Sequence, residues 1–139
     1  MKKLRIFYKV SAVFILLALL TACNATNTAG VAAVLDARNT AMNEKNISTY
    51  ADLILDTYNV KGRTKEDVLL QIFTLFKDFQ SIQMQTHNRH INIIDDNHAL
   101  CEQNYTLKVK ADGQWRNMVQ QEQLQLTKQG NDWKISAGL

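Results

Sequence analysis

Four polar residues at alternating positions, Gln103, Tyr105, Gln120 and Glu122, interrupt two otherwise apolar strand faces. Asp112-Gly113 is a strong two-residue hairpin signal between those strands. If it turns the chain, Ala111 faces Gln114, Leu107 faces Met118 and Tyr105 faces Gln120. Gln103 then faces Glu122, Cys101 faces Leu124 and Ala99 faces Leu126. Apolar residues meet at both ends of this register, which supports it. His87, Arg89 and His90 fall at the same level on the preceding strand. A carboxylate beside a His or an Arg inside a concave sheet can move a proton or orient a polar ligand. Tyr50 and Arg38, from two helices, can close such a site. The same residues admit a plainer arrangement. Glu122 and Arg89 can form an ordinary ion pair, Tyr105 can pack with its hydroxyl satisfied, and the belt can simply open to water.

Other chemistries find little support. No Cys pair or His-x-x-x-His spacing marks a metal site, and His87-x-x-His90 on a strand adds little to one. The 5 glycines form no phosphate-binding loop, and no Ser sits in a nucleophile elbow. No cofactor or metal is expected. Cys101 lies between apolar neighbours on its face and reads as a buried, inert thiol. His98 falls in a turn, where it is expected to be exposed. Phe73, Phe76 and Phe79 read as core.

The elements that position the belt follow from hydrophobic period. Val31, Val34, Leu35, Arg38 and Met42 recur at helical spacing. Asn46 can cap a second, shorter helix carrying Ile47, Tyr50, Leu53 and Ile54. Residues 57–63 read as a loop. Thr64, with Asp67 three residues on, opens a third helix through a capping box. Val68, Ile72, Leu75, Phe76 and Phe79 line one face of it, and Leu69 and Phe73 widen that face. After Phe79 the period becomes two. Ile82 and Met84 alternate on one parity and Ile91 and Ile93 on the other, which requires a β-bulge near residues 87–90. Strands follow over residues 99–109, 115–128 and 133–137, and in the last hairpin Ile135 faces Leu126. Three helices followed by four antiparallel strands imply an α+β domain, with the helices covering one face of a curved sheet.

Residues 31–139 resemble the nuclear transport factor 2-like (SnoaL-like) superfamily. The resemblance is carried by Arg38-Asn39-Thr40-Ala41-Met42, by Asn46-Ile47, by Gly62-x-x-Lys65-Glu66-Asp67-Val68 and by Gly130-Asn131-Asp132-Trp133-Lys134-Ile135. It implies a cone-shaped four-stranded sheet with the site inside the cone. It says little about activity, because the fold hosts hydrolases, isomerases, cyclases, binding modules and secretion-system subunits.

The N-terminus reads as a targeting segment. Lys2, Lys3, Arg5 and Lys9 form a positive region, and residues 10–20 are apolar apart from Ser11. That stretch is short of the about 20 residues of a spanning helix and fits a signal peptide over residues 1–22. Leu20-Thr21-Ala22-Cys23 resembles the bacterial lipobox, with cleavage between Ala22 and Cys23 and lipid on the Cys23 thiol. Two or more acyl chains anchor stably where one is marginal. Residues 23–30, polar and small, read as the lipidated Cys and a flexible tether. Asn24, rather than Asp, points to the outer membrane if the cell has two.

The formal charge of +3 is misleading, because four of the 16 basic residues precede Cys23. From Cys23 onward there are 12 basic and 13 acidic residues, net −1, which removes the simplest argument for nucleic-acid binding. The expected partners are the membrane, through Cys23, and a protein, a small ligand or a second copy of the chain. The reading this favours is a lipid-anchored cell-envelope binding or accessory module. The alternatives are a small SnoaL-like enzyme, an isomerase or hydrolase using Glu122 with a nearby His, and a subunit of an envelope secretion or conjugation assembly.

Overall fold

The computed structural model describes residues 25–139. The signal segment expected over residues 1–22, with its expected cleavage between Ala22 and Cys23, lies outside the described residues. The fold is α+β, with three helices among the described residues packed on a four-stranded antiparallel sheet.

Helix α1 is helical over described residues 25–44. Asn27, Val31, Leu35, Arg38 and Met42 are its buried stripe, spaced three or four apart as one helix face requires. It therefore begins earlier than the apolar periodicity predicts, and residues 25–30 are helix rather than tether. The reason is close packing. Asn27 is buried and its Oδ1 accepts a 2.8 Å bond from Lys128 Nζ. Gly30 lies against Trp133, where a Cβ would come within 2.8 Å of the indole. Small polar residues serve contact here, not flexibility.

Helix α2 spans Ile47–Asp52, and the Asn46 side chain caps it by accepting from the Thr49 amide. Residues 57–63, expected as a loop, contain strand β1 (Asn59–Val60), which pairs with β2 (Arg63–Thr64). Lys61 and Gly62, both at positive φ, make the turn between them. Helix α3 spans Lys65–Asp78 and opens with the Thr64–Asp67 capping box. Val68 and Phe76 are its buried residues, whereas Phe73 is 54% exposed and not core. It sits one turn after Leu69, beside the buried stripe, with none of the described elements over it.

The sheet runs β3 (Ser81–Ile93), β4 (His98–Ala111), β5 (Gln114–Gln129) and β6 (Asp132–Ala137), each antiparallel to its neighbour. The β4–β5 register is the one the hairpin signal dictates, from Ala111 opposite Gln114 to Ala99 opposite Leu126. Leu126 faces Ile135. The β3–β4 register shifts between His87 and His90, where Asn88 adopts a φ of 54°. That bulge moves the side chains after it to the opposite parity.

The interior is two apolar clusters with a polar layer between them. Val31, Leu35, Ala99, Cys101, Leu124, Leu126, Trp133 and Ile135 make one cluster. Met42, Tyr50, Val68, Phe76, Ile82, Met84 and Leu107 belong to the other. Helix α1 passes from the first to the second through Arg38 and β4 through Gln103, and Glu122 of β5 lies beside them. Each fully buried leucine contributes roughly 1.5–3 kcal/mol, so either cluster can offset the cost of a well-satisfied polar layer.

Candidate functional site

The polar layer is built from residues on four elements. Glu122 is held by Arg38, whose Nη1 and Nη2 donate to Oε1 at 2.7 Å and to Oε2 at 3.1 Å. Gln103 Nε2 donates to the same Oε1 at 2.7 Å. Both charged side chains are 9% exposed. Forked, charge-assisted pairing of this kind is among the strongest side-chain contacts. Burial alone disfavours the Arg38 charge, but Tyr50 and Glu122 outweigh it and raise its pKa above the ordinary arginine value. The guanidinium is therefore permanently charged. Tyr50 accepts a long 3.5 Å contact from Arg38 Nε.

Arg89 extends the layer to β3. The bulge turns it onto the concave side, where its Nε donates to Gln103 Oε1 at 2.8 Å and its Nη2 to Thr86 at 2.9 Å. Its ion-pair partner is Asp36 at 2.8 Å, not Glu122. The Glu122–Arg89 pair expected from sequence is thus corrected: α1 brings Arg38 to Glu122 first, and Arg89 is left to Gln103 and the helix surface.

His87 and His90 do not join the site. They face Asn104 and Glu102 across the sheet and are exposed on its outer face. His87 Nε2 contacts the Thr106 hydroxyl at 3.1 Å. The bulge explains the miss, because it flips side-chain parity and only Arg89 of the three lands inside. His98 opens β4, is exposed as expected and pairs with Asp95. Tyr105 donates to Gln120 Oε1 at 2.7 Å, and Gln120 is exposed. Burial, and then the Glu122 charge, raise the Tyr105 pKa, so its phenol stays protonated. Among the described residues no cluster of three or more His, Cys, Asp or Glu can hold a metal.

Beside this layer lies a cavity of about 230 Å³. Arg38, Glu122, Tyr50 and Tyr105 form its polar side, and Met42, Ile72, Leu75, Met84, Leu107 and Met118 much of the remainder. Arg63, Gln71 and Leu139 also line it. Arg63 Nη1 donates to the Leu139 carbonyl at 2.7 Å, and Tyr58 holds the same residue at 3.2 Å. Sequence reasoning missed Asp36, Thr86 and Arg63. They lie on α1, β3 and β2, and their residue types and spacing do not say which partners they meet.

No protein-family model and no curated protein matches the chain. Solved structures do match. A proposed scytalone dehydratase from Novosphingobium aromaticivorans superposes with a TM-score of 0.73 at 10% identity, over 85% of each chain. A proposed dehydratase of the nuclear transport factor 2-like family from Streptomyces avermitilis superposes with a TM-score of 0.69 at 14% identity, over 81% of this chain and 94% of that one. This is the nuclear transport factor 2-like fold. A hexachlorocyclohexane dehydrochlorinase, LinA type 2, shares the same cone with a TM-score of 0.71 at 9% identity, over 86% of this chain and 93% of that one. At such identities the nuclear transport factor 2-like likeness is one of fold, and function has to be argued from the site.

Proposed function

We propose that this chain is a lipid-anchored cell-envelope module that binds a small, largely apolar molecule inside its cone. One observation carries the binding reading: a cavity of about 230 Å³ whose apolar walls end in a charge-neutralised Arg38–Glu122 pair. Ligand sites are typically concave, mostly apolar and furnished with a few fixed polar groups. The anchor rests on Leu20-Thr21-Ala22-Cys23 and the segment before it.

The names of the fold neighbours favour a second reading, an enzyme that eliminates water or chloride with Glu122 as base. The site argues against it. That reading pairs Glu122 with a nearby His to carry the proton. Here three donors already hold the Glu122 carboxylate, and His87 and His90 lie outside the cone.

Toluene titrated into the soluble domain (residues 24–139) tests the binding reading. Its addition should shift the methyl resonances of Met42, Met84 and Met118, and Leu107→Trp should abolish the shift by filling the cavity. Methyls left unperturbed at saturating toluene, and equally at saturating phenol and benzoate, would remove the reading. Cys23→Ser tests the anchor: it should release the protein from membranes and end palmitate incorporation. Equal incorporation into that variant would show that Cys23 is not the lipid site.

A further inference from the structure

The polar end of the cavity can be read bond by bond. A carboxylate offers about four lone-pair positions. On Glu122, Oε1 takes two donors, Arg38 Nη1 and Gln103 Nε2, and Oε2 takes one, Arg38 Nη2. One acceptor position on Oε2 is left, on a residue that lines the cavity. Tyr50, 2% exposed and also lining the cavity, accepts from Arg38 and has no protein acceptor for its own proton among the described residues. Tyr105 is different, since its proton goes to Gln120. The polar end therefore presents one spare acceptor and one spare donor, both buried, beside apolar walls. Buried polar groups left unpaired are costly, and one group satisfies both at once: a hydroxyl, which accepts from Tyr50 and donates to Glu122.

We infer that the cone selects apolar molecules carrying a neutral hydroxyl, an alcohol or a phenol, with Tyr50 and Glu122 as the residues that read it. This rests on the cone being a ligand site. Anions are disfavoured at the same place. The Arg38 charge is already balanced, and a second negative charge would lie beside Glu122.

Toluene, phenol and benzoate, near in shape and different at one substituent, make the test on the soluble domain. Phenol should bind about tenfold more tightly than toluene, because a site built for a hydroxyl rejects an analogue without one. Benzoate should bind more weakly than phenol. Tyr50→Phe should reduce the phenol-to-toluene preference to about twofold or less. Toluene binding equal to phenol in the unaltered domain would overturn this inference and leave the binding reading intact. Tighter binding of benzoate than of phenol would overturn it too. A failure of all three probes to bind would instead remove the binding reading itself. The phenol-to-toluene ratio of the unaltered domain decides the matter even if Tyr50→Phe fails to fold.

Discussion

At the scale of residues, Arg38 and Glu122 depend on each other. Removing one partner of a buried pair strands the other charge and costs about 3–5 kcal/mol, whereas replacing both by apolar groups of similar size is often close to neutral. Arg38→Met and Glu122→Leu should each lower the thermal midpoint sharply, and the double variant should be more stable than either. A double variant as unstable as the sum of the two would show that they act independently. Cys101 gives a second residue-scale outcome. It is fully buried, and burial raises its thiol pKa to about 11. Thiol reagents at neutral pH should label it only as fast as the domain unfolds, and rapid labelling of the folded protein would contradict its place in the core. Glu122, Gln103, Tyr105 and Arg38 were all legible from the hairpin register and helix spacing. Which of them pair was not, because the pairing depends on how α1 crosses the sheet, and no local pattern encodes that.

Elements were the most legible level, and the β4–β5 hairpin shows why. A turn dipeptide and an alternating pattern fix its register independently of everything else. Leu124 and Leu126 are at most 1% exposed, while Gln123 and Gln125 on the opposite face are exposed. Leu124→Glu or Leu126→Glu should cost several kcal/mol, comparable with the stability of a small domain. Gln123→Glu and Gln125→Glu should melt within a few degrees of the parent. Early melting of the Gln variants alone would reverse the assignment of faces. The bulge was legible in position but not in effect. The parity change fixes one extra residue between Met84 and Ile91. It does not say that Arg89, rather than a histidine, is the side chain turned inward. The start of α1 was hidden for a different reason: Asn27 and Gly30 are selected by contact with Lys128 and Trp133, about a hundred residues away in sequence.

For the whole molecule, acid should be the weak direction. Asp56, Asp67 and Asp95 are each held below the ordinary carboxylate value of 3.8. The causes are the Gln129 amide and Lys65 for Asp56, the Thr64 backbone and hydroxyl for Asp67, and the Asn97 amide and His98 for Asp95. Groups with lowered folded pKa values add stability above their unfolded value and lose it as pH falls through the folded one. The melting temperature should therefore fall as the pH drops below the ordinary carboxylate value of 3.8, and Asp67→Asn should make that slope shallower. An unchanged slope in that variant would place the acid sensitivity elsewhere. The overall α+β plan was readable from the order of elements, since helices that precede a meander can bury their apolar faces only against one side of it. The two-cluster interior was not, because it emerges only when the polar interruptions of separate elements align. The early start of α1 also sets a geometric limit. At most about 7 Å of chain can separate Cys23 from Ala25, and Met42 lies about 25 Å further along the helix axis. With the proposed anchor on Cys23, α1 becomes a strut rather than a leash. The cavity could then ride no more than about 30 Å above the bilayer, and whatever delivers or collects its ligand would have to work within that reach.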